Sequence, residues 1–218
     1  MLRRLEPLNQ FLATTTVSKH RLFVWISPPT LPDHQLVVFA FNDDYWFGIL
    51  HSRLHQIWGL ELGTQLEDRP RYTPTTCFET FPFPEPIDAQ REAIAAAARE
   101  LNERRNNWLN PLEWTREETL TFPGSVDGPW RRYVTGADGT GIGTVHYSRR
   151  VPRDEQAAQD LARRTLTNLY NQMTAWLRQA HQKLDEAVFA AYGFPLTLGD
   201  DDILARLLDL NLRRAAVS

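Results

Sequence analysis

The sequence predicts an α+β fold, in which a small β-containing N-terminal piece precedes a mainly helical C-terminal domain with an inserted β-hairpin. Residues 13–42 contain two runs rich in β-branched and aromatic residues, VSKHRLFVWI and LVVFAF, separated by the proline-containing break SPPTLPDH. Later stretches instead repeat apolar residues at three- and four-residue steps, which is typical of helices that pack on a core.

Four helical stretches are predicted after the strands. The first covers 43–62, where Asp43 can cap the start and Gly63 follows the end. The second covers 87–108 and contains the strong helix-forming run AAAA. The third covers 156–192, with a break near Asn171 and a stop at Gly193, and the last begins after a cap at Asp200.

Two segments between the helices are predicted to be non-helical. Residues 63–86 contain five prolines and several phenylalanines, which indicates an ordered connector without regular secondary structure. Residues 110–155 are interpreted as an insertion of turns and short strands. Within it, WRRYVTGADGTGIGTVHYSRRV is typical of a hairpin with a glycine-rich turn.

Composition excludes several protein classes. The chain has 218 residues, 42% of them hydrophobic, and a formal net charge of −3, so it is neither disordered as a whole nor fibrous. No apolar run approaches the roughly 20 residues of a membrane-spanning helix. Cys77 is the only cysteine, which excludes an intrachain disulfide framework, and no secretory signal is visible. We therefore expect a cytoplasmic protein with no membrane partner.

Three motifs invite a catalytic or binding interpretation that the neighbouring residues do not support. Ser27-Pro28-Pro29-Thr30 is similar to the catalytic loop of DNA amino-methyltransferases, but Thr30 replaces the aromatic residue that stacks on the target base, so a turn is predicted. The glycines at 139–143 are predicted to form a hairpin turn, since no helix follows to hold a phosphate.

The third motif is HSRLH, whose histidines lie on one helix face. His51 and His55 have a spacing that could hold zinc, which would suggest a metal enzyme or hydrolase. No third ligand is apparent, so packing histidines are preferred. Cys77 lies beside Phe78 in an apolar loop and is predicted to be a packing cysteine, and no nucleophile arrangement is visible.

Basic residues interleaved with aromatic residues suggest nucleic-acid contacts. Arginine outnumbers lysine by 22 to 2, which fits either phosphate recognition or a genomic preference for arginine codons. Between residues 128 and 153 there are five arginines and one acid, an excess of four positive charges. An ordinary solvated surface remains an equal alternative. The candidate DNA-binding residues are Lys19, Arg21, Arg69, Arg71, Tyr72, Arg131, Arg132, Arg149 and Arg150.

Several long motifs resemble one family across roughly residues 14–214. DYWFGILHSRLHQIWGLELG followed by RYTPTTCFETFPFPEP resembles the C-terminal part of MmeI-like type IIL restriction–modification enzymes and adenine-specific DNA methyltransferases. RRNNWLNPLEW, FPGSVDGPWRRYV and DDDILARLLDLNLRR are similar to more distal parts of the same family. The resemblance implies that 1–86 ends a target-recognition domain, with a proline-aromatic connector, and that 87–218 is a helical C-terminal domain with the insertion at about 110–155.

The resemblance also implies a function. Full-length members transfer a methyl group from S-adenosylmethionine to adenine in a defined DNA sequence, but this chain lacks their cofactor-binding and catalytic motifs. We therefore expect a C-terminal fragment that recognises and clamps double-stranded DNA, with no catalytic residue, cofactor or metal of its own. Its other expected partner is the methyltransferase domain of the same or a neighbouring chain. The alternative is a helical interaction module that docks on a separate methyltransferase subunit.

Overall fold

A three-stranded antiparallel sheet begins the fold. The computed structural model describes residues 2–66 and 69–216. After a short helix α1 (Leu2–Leu5), strands β1 (Phe11–Thr15), β2 (Val24–Ile26) and β3 (Leu36–Phe39) form a sheet in the order β2-β1-β3. The predicted strand VSKHRLFVWI contributes only Val24–Ile26, because Val17 instead forms an isolated bridge to Arg71.

The two faces of this sheet pack against different parts of the chain. Neighbouring residues of a strand point to opposite faces, and β1 places Leu12 in the main core and Phe11 in a second cluster with Leu5 and Trp130. The sheet is therefore covered on one face by helices and on the other by the segment around Trp130.

The helix predicted over 43–62 is two helices, α2 (Asp44–His51) and α3 (Arg53–Glu61). Ser52 breaks it with an extended backbone, and its Oγ donates to the Ile49 carbonyl oxygen (2.7 Å) and accepts from the His55 N–H (3.3 Å). Serine competes well with the helix for backbone hydrogen bonds, which periodicity alone does not show. The predicted cap at Asp43 is confirmed by its acceptance of the Tyr45 N–H at 2.7 Å.

The connector has more regular structure than predicted. Strands β4 (Thr64–Leu66) and β5 (Arg69–Arg71) form a small hairpin, and a π-helical turn covers Pro74–Phe78. The prediction without secondary structure is wrong here because β5 gains support from residues 16–18, which are distant in sequence. The buried Phe81 confirms that the connector is ordered and packed.

The insertion is dominated by one long hairpin. Strand β6 (Thr115–Ser125) pairs along its whole length with β8 (Ile142–Pro152), and the short β7 (Val134–Thr135) pairs with the other side of β8. The predicted hairpin within 130–151 corresponds only to the β7–β8 pair. β6 escaped prediction because it is mostly polar and contains Pro123, which an edge strand tolerates.

The remaining helices are α4 (Asp88–Leu109), α5 (Glu155–Leu161), α6 (Leu166–Gln172), α7 (Ala175–Tyr192) and α8 (Asp200–Ala215). The α+β prediction is confirmed. The stretch predicted over 156–192 with one break is three helices, because Thr165 caps a new helix after an unpredicted break at 162–165. The break expected near Asn171 lies at Met173, and Gly193 ends α7 with a left-handed backbone, as predicted. Gly199 rather than Asp200 occupies the cap position of α8. No helix within the described residues is both long and apolar enough to cross a membrane.

Helix α2 lies at the centre of the main core. Gly48 allows its close approach to α4 and α7, since a Cβ at that position would lie 2.8 Å from Ile94 and 3.1 Å from Ala98 and Leu184. The same buried cluster contains residues from β1 through α8. The core is thus continuous across residue 86, and the proposed division into 1–86 and 87–218 stays a prediction.

A buried arginine connects the sheet to the helices. Arg105 of α4 is 2% exposed, and its guanidinium donates to the Phe23 carbonyl oxygen (2.9 Å) and to His51 Nε2 (2.7 Å). Because Nε2 also accepts the Phe23 N–H, His51 carries its proton on Nδ1, which donates to the Phe47 carbonyl oxygen at 3.0 Å. Among the described residues, Arg105 has no carboxylate partner.

Three buried histidines surround this arginine region in the neutral state. Burial lowers the pKa of His51 well below its ordinary value, lowers that of His55 to about 3 and lowers that of His181 to about 4, and Arg105 opposes protonation of both His51 and His181. His181 Nε2 lies 2.8 Å from the hydroxyl of Tyr170. His51 and His181 are therefore neutral beside the permanent charge of Arg105, whereas the cation that opposes protonation of His55 is Arg21.

We expect Arg105→Ala to lower the free energy of unfolding by about 2–5 kcal/mol, because it opens a cavity and removes the guanidinium donors from the Phe23 carbonyl oxygen and His51 Nε2. Urea denaturation measures the loss. The neighbouring Arg104→Ala removes an exposed arginine that pairs with Glu100 and should cost less than about 0.5 kcal/mol. Equal losses in the two variants would contradict the central role of Arg105.

Acid is expected to destabilise the fold through the buried histidines. Their folded pKa values lie below the unfolded value, so the unfolded chain binds more protons between about pH 6.5 and pH 4, and stability falls as the pH drops through this range. Asp185 opposes the trend in part, because burial raises its pKa to about 6.

We expect His181→Gln to flatten the stability profile between pH 6.5 and 5 by up to about 1.4 kcal/mol per pH unit, the contribution of one histidine. Urea denaturation across this pH range measures the slope. His146→Gln, on the exposed face of β8, is the control and should retain the wild-type profile. An unchanged slope in the His181 variant would show that the buried imidazole does not control acid stability.

Candidate nucleic-acid interface

The predicted DNA-binding residues lie in three separate places. Lys19, Arg21, Arg71 and Tyr72 lie where the loop after β1 meets β5. The side chain of Arg69 lies outside the described part of the structure. The other two groups belong to the insertion: Arg131 and Arg132 lie in its connecting segment, and Arg149 and Arg150 lie on β8.

Backbone pairing brings the first group together. The Tyr72 N–H donates to the Thr16 carbonyl oxygen at 2.8 Å, and the Ser18 N–H donates to that of Pro70 at 3.4 Å. This pairing places the loop that carries Lys19 beside β5. Lys19 and Arg71 are both exposed, so the junction offers two cations to solvent.

Two members of this group are structural. The Arg21 guanidinium donates to the hydroxyl of Thr14, to the carbonyl oxygens of residues 15 and 16, and to Pro70, and it lies over the Tyr72 ring at 5.0 Å. Tyr72 is 2% exposed, and its hydroxyl lies 3.1 Å from His55 Nε2. A buried ring has no surface to offer a duplex, so we reassign Tyr72 to the core and Arg21 to the junction.

The second group fastens the insertion to the N-terminus. Arg131 Nε donates to Glu6 at 2.7 Å, while Arg132 donates to the carbonyl oxygen of Leu8 and stacks on the Tyr133 ring at 4.9 Å. Both side chains are exposed but already bonded. Their contribution to DNA binding stays a prediction.

Glutamates on the opposite strand face the third group. Glu118 and Arg149 are cross-strand partners with Arg149 donating at 2.7 Å, and Glu117 lies 4.0 Å from Arg150. Adjacent strand residues point to opposite faces, so the Arg149 and Arg150 side chains leave β8 on different sides, and their contribution to DNA binding stays a prediction. Counting from residue 113 to 153, six arginines face five acids, and the predicted excess of four charges falls to one.

A cleft of about 370 Å³ lies beside the first group and was missed by sequence reasoning. It lies between the loop after β1, helix α3 and the α6–α7 pair, so it contains residues from both halves of the chain. Periodicity had placed these residues only on helix faces or in loops. Its lining residues are Lys19, His20, Arg21, Leu22, His51, Arg53, Gln56, Leu60, Tyr170, Met173, His181 and Asp185.

One carboxylate lines the described wall of this cleft. Asp185 Oδ1 accepts the backbone N–H of Arg53 at 2.8 Å, which caps the start of α3 from the neighbouring helix α7. Burial raises the pKa of Asp185 to about 6. The Arg53 side chain turns instead to Asp200 at the start of α8.

The alternative zinc interpretation of HSRLH finds no geometric support. Both ring nitrogens of His51 are engaged, and His55 Nε2 contacts Tyr72 inside the core. Within the described ranges, no group of three histidine, cysteine or carboxylate side chains is arranged to hold a metal ion. Cys77 is buried, as the packing interpretation predicts.

The glycine cluster at 139–143 does not form the turn between a strand and a helix that holds a nucleotide cofactor. The glycines at 139–143 lie between β7 and β8, so no helix follows them to receive a cofactor carboxylate or ribose. The Ser27-Pro28-Pro29-Thr30 segment forms a turn next to β2, as predicted.

Comparisons with known proteins agree with this geometry. Residues 6–85 match the family described as MmeI, target recognition domain. A solved structure of the type IIL restriction–modification enzyme MmeI in complex with DNA matches 97% of this chain with a TM-score of 0.62 and 20% sequence identity. The match spans 22% of that enzyme's chain. No curated protein matches the chain significantly.

The match from residue 6 to residue 85 contains β1–β5, helices α2 and α3, and both exposed cations of the junction. The helices and the insertion that follow share the fold of the MmeI structure. Residues 6–85 of this chain are thus similar to the MmeI target recognition domain, as the FGIL…SRLH and FETFPFP motifs indicated.

Proposed function

We propose that this chain is a DNA-recognition and DNA-clamping unit of a restriction–modification DNA methyltransferase. The observation that carries the proposal is the exposed pair Lys19 and Arg71, held by backbone pairing inside the segment that matches a target recognition domain. Arginine and lysine supply phosphate and guanine contacts, each correct bidentate base contact adding about 1–3 kcal/mol of discrimination.

The helical half would act as the brace of this unit. Arg105 and the continuous core would hold residues 6–85 against helices α4 and α7. The junction would then be presented on an ordered support. Methyl transfer from S-adenosylmethionine would require a methyltransferase segment outside the residues described here. That segment is the second partner that the proposal requires, in addition to double-stranded DNA.

Fluorescence anisotropy with a labelled duplex at two salt concentrations tests the proposal. The full 218-residue chain should bind the duplex, and its affinity should fall as salt rises, because bound cations release condensed counterions from DNA. Absence of binding at low salt, with the fold intact by circular dichroism, would overturn the DNA-recognition role.

We expect Arg71→Ala to weaken binding about tenfold, the loss of one charge-assisted contact. Arg149→Ala makes the same change in net charge on the hairpin, where Glu118 already neutralises the arginine, and should retain near wild-type affinity. The same anisotropy assay measures both. Equal weakening of the two variants would indicate dependence on net charge rather than recognition at the junction.

The sheet edge gives an observation that favours the alternative, docking on a separate methyltransferase subunit. Strand β3 pairs with β1 on one side, while its other side borders a groove of about 570 Å³ that includes Val37, Phe39 and Phe78. An open edge beside apolar side chains is a common site of strand addition. Formation of a defined complex with a purified methyltransferase subunit, together with indifference to DNA, would favour this alternative.

A further inference from the structure

The charge pattern around the cleft of about 370 Å³ differs from that of several other parts of the described surface. In those parts, exposed cations pair with carboxylates: Lys183 donates to Glu100, Arg131 to Glu6 and Arg149 to Glu118. A cation paired in this way has little charge left for an external anion.

At the cleft, two cations are bonded to neutral groups instead. Lys19 Nζ donates to Asn171 Oδ1 at 2.8 Å, and Arg21 donates to hydroxyl and carbonyl oxygens. Neither has a carboxylate partner among the described residues. Their charges are therefore oriented by hydrogen bonds without being neutralised.

A third such cation lies behind the cleft wall. His51 and Tyr170 line the cleft, and both contact Arg105, which donates to the first at 2.7 Å and lies 6.0 Å from the ring of the second. A buried charge in a low-dielectric interior is weakly screened, so its field reaches the cleft. Asp185 is the one carboxylate of the described lining, and the Arg53 N–H already occupies one of its oxygens.

Unused donors lie at the edge of the cleft, where Lys19 of the lining bonds to Asn171, the chain neighbour of the lining residue Tyr170. Asn171 Oδ1 accepts from both Lys19 Nζ and His20 Nε2, at 2.8 and 2.9 Å. This arrangement leaves two ammonium hydrogens of Lys19 and the Asn171 amide N–H groups without an acceptor among the described residues. A phosphate oxygen is the kind of acceptor that such donors suit.

The cleft walls explain why a phosphodiester fits better than a free anion. Leu22, Leu60 and Met173 supply apolar surface next to the donors. A nucleic-acid backbone presents the same alternation, with a charged phosphate joined to an apolar deoxyribose. We infer that this cleft binds a backbone phosphate of the DNA duplex, with Lys19 and Asn171 as its donors. The inference rests on the proposed function and extends it, since α6 of the helical half would then take part in DNA contact.

The salt dependence of DNA binding tests this site. Lys19→Ala should weaken duplex binding about fivefold to tenfold and lower the slope of log affinity against log salt by about 1, as expected for one lost phosphate contact. Asn171→Asp should weaken binding at least as much, because a carboxylate at the rim neutralises Lys19 and repels phosphate. Lys183→Ala, which also removes one lysine but lies outside the cleft, should retain the wild-type slope.

The outcomes separate this inference from the proposed function. Wild-type slopes for Lys19→Ala and Asn171→Asp, in a chain that binds DNA and is weakened by Arg71→Ala, would overturn the cleft site alone. A wild-type chain that binds no duplex at low salt would overturn both. Melting temperatures near wild type for the two exposed-site variants ensure that any loss of binding reflects the cleft rather than the fold.

Discussion

The position of the N-terminal sheet relative to helices α2 and α4 depends on the buried guanidinium of Arg105. The guanidinium extends from α4 and bonds to the backbone carbonyl of Phe23, just before β2, and to His51 of α2. A buried cation without a carboxylate is costly unless its hydrogen bonds are well placed. The network therefore favours one relative position of sheet and helices, because any other position would leave the charge unsatisfied.

This constraint also determines which side chains remain available at the surface. Once Phe23 is fixed, the loop of residues 16–22 must pass beside β5, where the Arg21 guanidinium gathers the carbonyl oxygens of both segments. The Arg21 guanidinium is thus occupied by hydrogen bonds within the junction, while Lys19 and Arg71 are exposed to solvent. Whether an arginine has a structural role or is available to a ligand depends on its hydrogen-bond partners and not on its residue type.

The sequence predicted the parts of the fold that depend on local pattern. The caps at Asp43 and Gly193 and the helix that begins near residue 87 follow from side-chain chemistry within a few residues. The β4–β5 hairpin and the break at Ser52 were missed because both depend on partners elsewhere in the chain or on competition between a side chain and the helix. Family motifs located the segment that matches a target recognition domain, without any information on burial.

The candidate site also depends on contacts between residues that are distant in sequence, which local patterns do not show. Counting charges along 128–153 suggested a basic arm, but Glu117 and Glu118 lie on the strand that the count omitted. Conversely, no local pattern joins Lys19 to Asn171, which are 152 residues apart in the chain. A count of charges indicates a DNA-binding surface only when the ion-pair partner of each charged residue is known. Those partners are determined by the fold.

The insertion is a braced element rather than a free arm. At its base, the Arg164 guanidinium lies over the rings of Trp114 and Trp108, at 4.1 and 5.4 Å, and donates to the Trp108 carbonyl oxygen. In its connecting segment, Trp130 is buried against Leu5 and Phe11 on the outer face of the sheet. Attachment at two places removes the freedom that an arm needs to close around DNA.

A clamp of this kind would act by shape, with the duplex approaching a surface that is already formed. The conformational entropy of the loops is then lost during folding and not when the duplex binds. In this proposal, contacts at the junction and the cleft would contribute more of their free energy to affinity, because their hydrogen-bonded side chains are already oriented. In the proposed clamp, the core around Arg105 and the two-point attachment of the insertion would together provide a preformed surface for a stiff, highly charged ligand.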